Sequence, residues 1–169
     1  MDLGQKFIDF RLLGVDNLYF DTKKIRKQKK IVVFFTCNHC PYVHAYESRI
    51  IQMQEDLNHI VEFVGINSND DTRYPEDSFE NMKKRSSIVG YNFPYLRDSN
   101  QEIAKVYGAS HTPHFYLFNQ DRSLIYKGKL DDNWENEDYV KMQYLKEGIE
   151  NKDYVPRDTF PVGCSIKWL

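Results

Sequence analysis

At 169 residues, with 15% aromatic side chains, the chain is long enough to bury a well-packed core as one domain without staples. A formal net charge of −2 gives no general attraction to nucleic acid or to an anionic membrane surface. No stretch approaches the roughly 18 apolar residues of a membrane span. Met1-Asp2-Leu3-Gly4-Gln5-Lys6 shows no charged segment leading into an apolar one, so no secretory signal is read there. Three cysteines are an odd count, which argues against a purely structural disulfide framework. A redox pair plus one extra thiol, in a reducing cytoplasmic setting, fits that count.

In chain order, Phe7 to Leu13 and Leu18 to Phe20 bracket the turn-rich Gly14-Val15-Asp16-Asn17, which predicts a short hairpin. The basic stretch Lys23 to Lys30 reads as a solvated turn, and Ile31 to Thr36 as a buried strand. The period then changes. Val43, Tyr46, Ile50, Met53 and Leu57 recur at steps of three and four, the mark of an amphipathic helix that tolerates Pro41 in its first turn. Val61 to Asn67 predicts a second internal strand, parallel to the first across the helix. Pro75-Glu76-Asp77 opens a helix whose apolar side is Phe79, Met82 and Ile88 and whose stop is Gly90. A short extended piece, Phe93 to Leu96, precedes a short helix from Asn100 to Tyr107 closed by Gly108.

Pro113 stands just before an apolar strand, where no ladder donor is needed. Asn119 to Ser123 turns the chain into Leu124 to Leu130, a strand expected near the edge of the sheet. The acidic run Asp131 to Asp138 leads into a final helix with Tyr139, Met142, Leu145 and Ile149 on its apolar side. One domain over residues 1–169, with an irregular tail from 151 to 169, is the expected organisation.

The chemistry concentrates at Cys37-Asn38-His39-Cys40, where the buried strand ends and the long helix begins. Unpaired N–H groups and the positive end of the macrodipole favour an anion there, so a thiolate is stabilised. A second thiol one turn away can attack a mixed disulfide formed on the first. This predicts Cys37 as the more accessible, more acidic attacking thiol and Cys40 as the resolving thiol turned toward the core. A zinc set of Cys37, Cys40 and His44, with Cys164 or His111 as fourth ligand, is permitted by spacing. A single C-x-x-C with no second paired knuckle is a weak zinc signal, so no metal is assigned. No phosphate-binding glycine loop implies a nucleotide cofactor, and no cofactor of any kind is assigned.

Strand, C-x-x-C, proline and long helix, with Thr112-Pro113 downstream, resemble the thioredoxin superfamily over almost the whole chain. The strings Thr36 to Val43 and Gly163 to Trp168 resemble those of bacterial redoxins of the peroxiredoxin-like branch. The resemblance implies an α/β, thioredoxin-like fold: a central mixed sheet flanked by helices, with an N-terminal hairpin extension and a helical insert. It implies a cis Pro113 facing the cysteines, and pairing of the Thr112 backbone with an incoming substrate strand. His39, next to the second cysteine, resembles the arrangement of oxidising oxidoreductases, in which a ring N–H stabilises the thiolate. Thr112, Pro113 and His39 are therefore the substrate-side candidates.

The activity implied is thiol–disulfide exchange through Cys37 and Cys40. Protein or small-molecule disulfides and thiols are the substrates, a thiol is the electron donor, and a monomer is favoured. A metal-binding or redox-sensing module with no turnover is one alternative, and a thiol peroxidase is the other, since Cys40-Pro41 matches the peroxiredoxin Cys-Pro. Against the peroxidase, the position three before Cys40 is Cys37, and no proline lies in Lys29 to Thr36. The buried acid that thioredoxins carry six residues before the first cysteine is replaced by Ile31, so another base is needed. The apolar tail around Cys164 is expected to dock on the body, with Trp168 as its anchor. Cys164 is then either a small buried hydrophobe or a third thiol brought to the pair.

Overall fold

The computed structural model describes residues 1–169. Strand β3 (Lys30–Thr36) is buried at every position, as a run without alternation must be when both faces of its sheet are covered. It pairs in parallel with β4 (Val61–Asn67) and antiparallel with β7 (His114–Phe118), and so forms the centre of the sheet. On one side lie β5 (Tyr95–Arg97) and the N-terminal hairpin of β1 (Arg11–Gly14) and β2 (Tyr19–Asp21). On the other lie β8 (Leu124–Gly128) and β9 (Arg157–Asp158). The sheet order is β2-β1-β5-β4-β3-β7-β8-β9. A separate two-stranded pair joins β6 (His111–Thr112) to β10 (Cys164–Ser165).

Successive residues of β3 feed opposite cores, as a period of two requires. Ile31, Val33 and Phe35 pack with Val64, Tyr107 and Tyr116 on one face. Val32 and Phe34 pack with Tyr46, Ile50, Phe115 and Leu145 on the other. Helix α1 (Pro41–Leu57) supplies Tyr46 and Ile50 from the spacing read in the sequence. Helices α2 (Phe79–Val89), α3 (Glu102–Tyr107) and α4 (Tyr144–Glu150) complete the layers. Gly90 and Gly108 end α2 and α3 in the left-handed conformation that glycine adopts without penalty.

Four expectations change. Pro75–Asp77 is a single 3-10 turn, and α2 begins at Phe79 behind Ser78, whose hydroxyl accepts the Asn81 N–H. Ile88 on that helix points to solvent. The last helix is shorter than its apolar spacing suggests, and Tyr139 and Met142 are exposed outside it. The polar run before it is instead consumed by local side-chain turns and by Asp131. Buried Asp131 pairs with buried Arg49 at 2.7 Å and accepts the Tyr46 hydroxyl, tying the loop to α1. Breaking such a pair strands a charge in the interior. In the tail, Ile166 is the residue sunk in the core, while Trp168 stays partly exposed. Strand β8 does lie near the edge of the sheet, with the short β9 from the same tail outside it.

Candidate dithiol site

Proline has no N–H to lose at the first helical position, and Pro41 takes that place in α1. Cys40 is therefore the N-cap, in extended conformation (φ −156°, ψ 123°), and Cys37 lies a full turn before the helix. The two cysteines are equally buried, at 1% exposure each, so the expected difference in accessibility is absent. The acidity is also reversed. Cys40 is pulled down to about 4 by hydrogen bonding from Cys37 first, then from Cys164 and the backbone amides of Val43 and Cys164. Cys37 is pushed up, because it is the donor to Cys40, is buried, and faces the negative charge of Asp77. The helix start favours the anion it caps, and that residue is Cys40.

Thr112 spans both sulfurs. Its hydroxyl lies 3.3 Å from Cys37 Sγ, and its carbonyl lies 3.3 Å from Cys40 Sγ, able to accept from that thiol when it is protonated. The Thr112–Pro113 peptide bond is cis. The edge of β6 expected to receive a substrate strand is already filled, since Cys164 pairs with Thr112 and Ser165 with His111 in β10. The tail comes this close because Gly163 has no side chain: a Cβ there would stand 2.2 Å from the Thr112 carbonyl oxygen. Cys164 Sγ is thereby brought to 2.9 Å from Cys40 Sγ.

The loop between the cysteines is pinned at Asn38. Its N–H donates to Asp77 Oδ1 (2.6 Å), its side chain accepts the Tyr95 hydroxyl (2.7 Å), and its carbonyl meets His44 Nε2 (2.7 Å). Asp77 also accepts from Asn67 Nδ2 and from Asn69 Nδ2. Asp77 is a buried acid at the site, delivered from the helical insert rather than from β3, where Ile31 stands instead. Sequence reasoning missed it, because a Pro-Glu-Asp turn looks like an exposed helix start. His39 is exposed and holds no hydrogen bond to the protein, so its expected contact with a thiolate is not formed. His44 faces the Asn38 carbonyl and His111 the Ser110 hydroxyl. His114 is buried next to Pro113 and held neutral, its pKa lowered to about 3 chiefly by burial. No group of three or more His, Cys, Asp or Glu side chains is placed to hold a metal ion.

A pH consequence follows for Cys40. Its folded pKa is depressed, so the thiolate persists down to about pH 4 and is lost as pH falls through that value. A small alkylating reagent at pH 5 is expected to modify Cys40 before Cys37, read by peptide mass analysis. Labelling of Cys37 first would return the thiolate to Cys37.

A family model described as Redoxin matches residues 2–142. Among solved structures, an uncharacterized conserved protein from Geobacillus kaustophilus is 38% identical, with a TM-score of 0.90 over 99% of this chain and 93% of its own. A hypothetical protein from Sinorhizobium meliloti is 30% identical, with a TM-score of 0.88 over 100% of this chain and 96% of its own. A secreted disulfide oxidoreductase from Mycobacterium tuberculosis, 23% identical, matches 68% of this chain and 79% of its own with a TM-score of 0.58, a likeness of fold. No curated protein matches the chain significantly. No helix is long and apolar enough to cross a membrane. With a mixed sheet flanked by helices and a family match over most of its length, the chain has a thioredoxin-like fold and belongs to the Redoxin family.

Proposed function

We propose that the protein is a thiol–disulfide oxidoreductase working through Cys37 and Cys40, with Cys40 as the attacking thiolate and Cys37 as a resolving thiol. The observation that carries this reading is Cys40 at the N-cap of α1, with Cys37 three residues before it and Thr112 in contact with both sulfurs. The Cys40 thiolate attacks one sulfur of a substrate disulfide, forms a mixed disulfide and releases a thiolate. Cys37 then attacks the Cys40 sulfur, closes the Cys37–Cys40 bridge and releases the second half. Stabilising the thiolate favours the reduced form, so the bridged form is an oxidant, and the same steps run in reverse when it donates its disulfide to a substrate dithiol. The family match supports this reading, and a reducing, cytoplasmic setting is proposed with it from the odd cysteine count.

The test is equilibration with mixtures of a small thiol and its disulfide, followed by mass mapping of the bridge. Cys40→Ser is expected to lower exchange by at least roughly 100-fold, the scale for removing a nucleophile. Cys37→Ser is expected to spare the first attack while losing the Cys37–Cys40 bridge. Exchange that survives Cys40→Ser would overturn the assignment.

Thiol peroxidase activity is the second reading, favoured by the same observation, because a buried thiolate beside Pro41 is suited to attack peroxide. Fast peroxide consumption that persists in Cys37→Ser would select it over disulfide exchange.

A further inference from the structure

The C-terminal strand does two things at once. It fills the edge of β6, and it sets a third sulfur against Cys40. The 2.9 Å between Cys40 and Cys164 is less than 1 Å longer than a disulfide bond of about 2.05 Å. The side-chain contact of Cys37 in the same place is to the Thr112 hydroxyl at 3.3 Å. The tail is firmly held. Ile166 donates to the Ser110 carbonyl and is buried in the core. Lys167 donates to Asn69 Oδ1, and its carbonyl accepts from the Asp70 N–H and from Gln101 Nε2. Of the three cysteines, Cys164 is the one partly open to solvent.

From these observations we infer that Cys164 is a third redox thiol, which closes a disulfide with Cys40 after Cys40 has reacted with a low-molecular-weight disulfide. The inference rests on the reading of Cys40 as the attacking thiolate. The substrate class follows from the covered edge. An extended polypeptide would have to strip β10 from β6 and break its anchoring bonds, whereas a small disulfide has only to reach the sulfurs.

The Cys40 thiolate attacks one sulfur of the small disulfide; the Cys40–S–S–R bond forms, the original S–S bond breaks, and the RS⁻ released takes the proton of Cys164. The Cys164 thiolate attacks the Cys40 sulfur, the Cys40–Cys164 bond forms, and a second RS⁻ leaves and is protonated by water. Two protein thiols are oxidised, and one small disulfide is reduced to two thiols. The thiol of Cys37 can then attack Cys40, moving the bridge to Cys37–Cys40 and returning a proton to Cys164.

The experiment uses the reduced full-length chain with bis(2-hydroxyethyl) disulfide as the probe, quenched over time and mapped by mass under non-reducing conditions. Cys37→Ser, with Cys37→Ala as its backup should the serine variant misfold, is expected to pass from a Cys40 adduct to a Cys40–Cys164 bridge within one chain. In the Cys37→Ser/Cys164→Ser double variant the adduct is expected to persist. A persistent Cys40 adduct with free Cys164 in the single variant would overturn the inference. Cys164→Ser separates the two claims. If it forms Cys37–Cys40 while Cys37→Ser keeps its adduct, the proposed function stands and the third thiol falls. If only Cys37→Ser closes a bridge, the third thiol stands and the Cys37–Cys40 pairing falls. If Cys40 acquires no adduct in any variant, both fall. The reduced wild type is also expected to be oxidised by the hydroxyethyl probe much faster than by the disulfides of insulin; comparable rates would overturn the substrate class.

Discussion

Cutting Asp77 back to alanine is expected to destabilise the protein by about 3–5 kcal/mol, because each buried donor left without an acceptor costs roughly 1–3 kcal/mol. The Asn38 N–H at 2.6 Å and Asn69 Nδ2 at 2.9 Å lose their acceptor, while Asn67 Nδ2 at 3.2 Å keeps the Tyr95 hydroxyl as a second one. For a domain of this size the loss corresponds to a fall in Tm of roughly 10 °C. Asp77→Asn keeps the volume and one acceptor while placing an NH2 among donors, so an intermediate loss is expected. Both variants also remove a negative charge that helps to hold the Cys37 pKa up, so Cys37 becomes more acidic. Denaturant midpoints and thiol titration measure the two effects. A loss under about 1 kcal/mol in the alanine variant would mean that water or a shifted backbone satisfies these donors.

The second large effect is expected at Gly163. A methyl group there would lie 2.2 Å from the Thr112 carbonyl oxygen and 2.7 Å from its carbon, backbone atoms that cannot swing aside as a flexible side chain could. Gly163→Ala therefore lifts β10 from β6, and the Cys40–Cys164 sulfur contact opens with it. Closure of that bridge after reaction with the hydroxyethyl probe is expected to slow at least tenfold, while alkylation of Cys40 and Cys164 accelerates. The Cys37–Cys40 bridge should still form, since neither residue belongs to the tail. Closure at the wild-type rate would show that the tail reaches Cys40 without its pairing to Thr112.

Much of the scaffold was legible from periodicity. The unbroken apolar run of β3, the helical spacing of α1 and the second apolar run of β4 each required their observed state, and Pro113 marked the start of β7. The helix start beside the dithiol was legible too, with its cap one turn later than the first cysteine. A proline at the first helical position makes the residue before it the cap, and that residue is Cys40 rather than Cys37. Other features leave no local trace. The pairing of β6 with β10 involves two residues on each strand, far apart in the chain, and no alternation can announce so short a ladder. Asp77 and Asn69 lie in polar stretches where acids and amides are ordinarily solvated, and only the fold turns them inward. His39 was assigned by adjacency to Cys40, but adjacency in an extended loop does not fix which way a side chain faces.

One side-chain amide joins the two halves of this arrangement. Asn69 donates through Nδ2 to Asp77, which holds the loop between Cys37 and Cys40, and accepts through Oδ1 from Lys167 in the docked tail. Such a bridge gives tail docking and the electronic state of the dithiol a shared free energy, and thermodynamic reciprocity makes their influence equal in both directions. Whatever a change of oxidation state adds to or takes from the grip of the tail, clamping or releasing the tail must return to the reduction potential of the pair. On the proposed chemistry, the last seven residues are a tuning element for the couple as well as a cover over it.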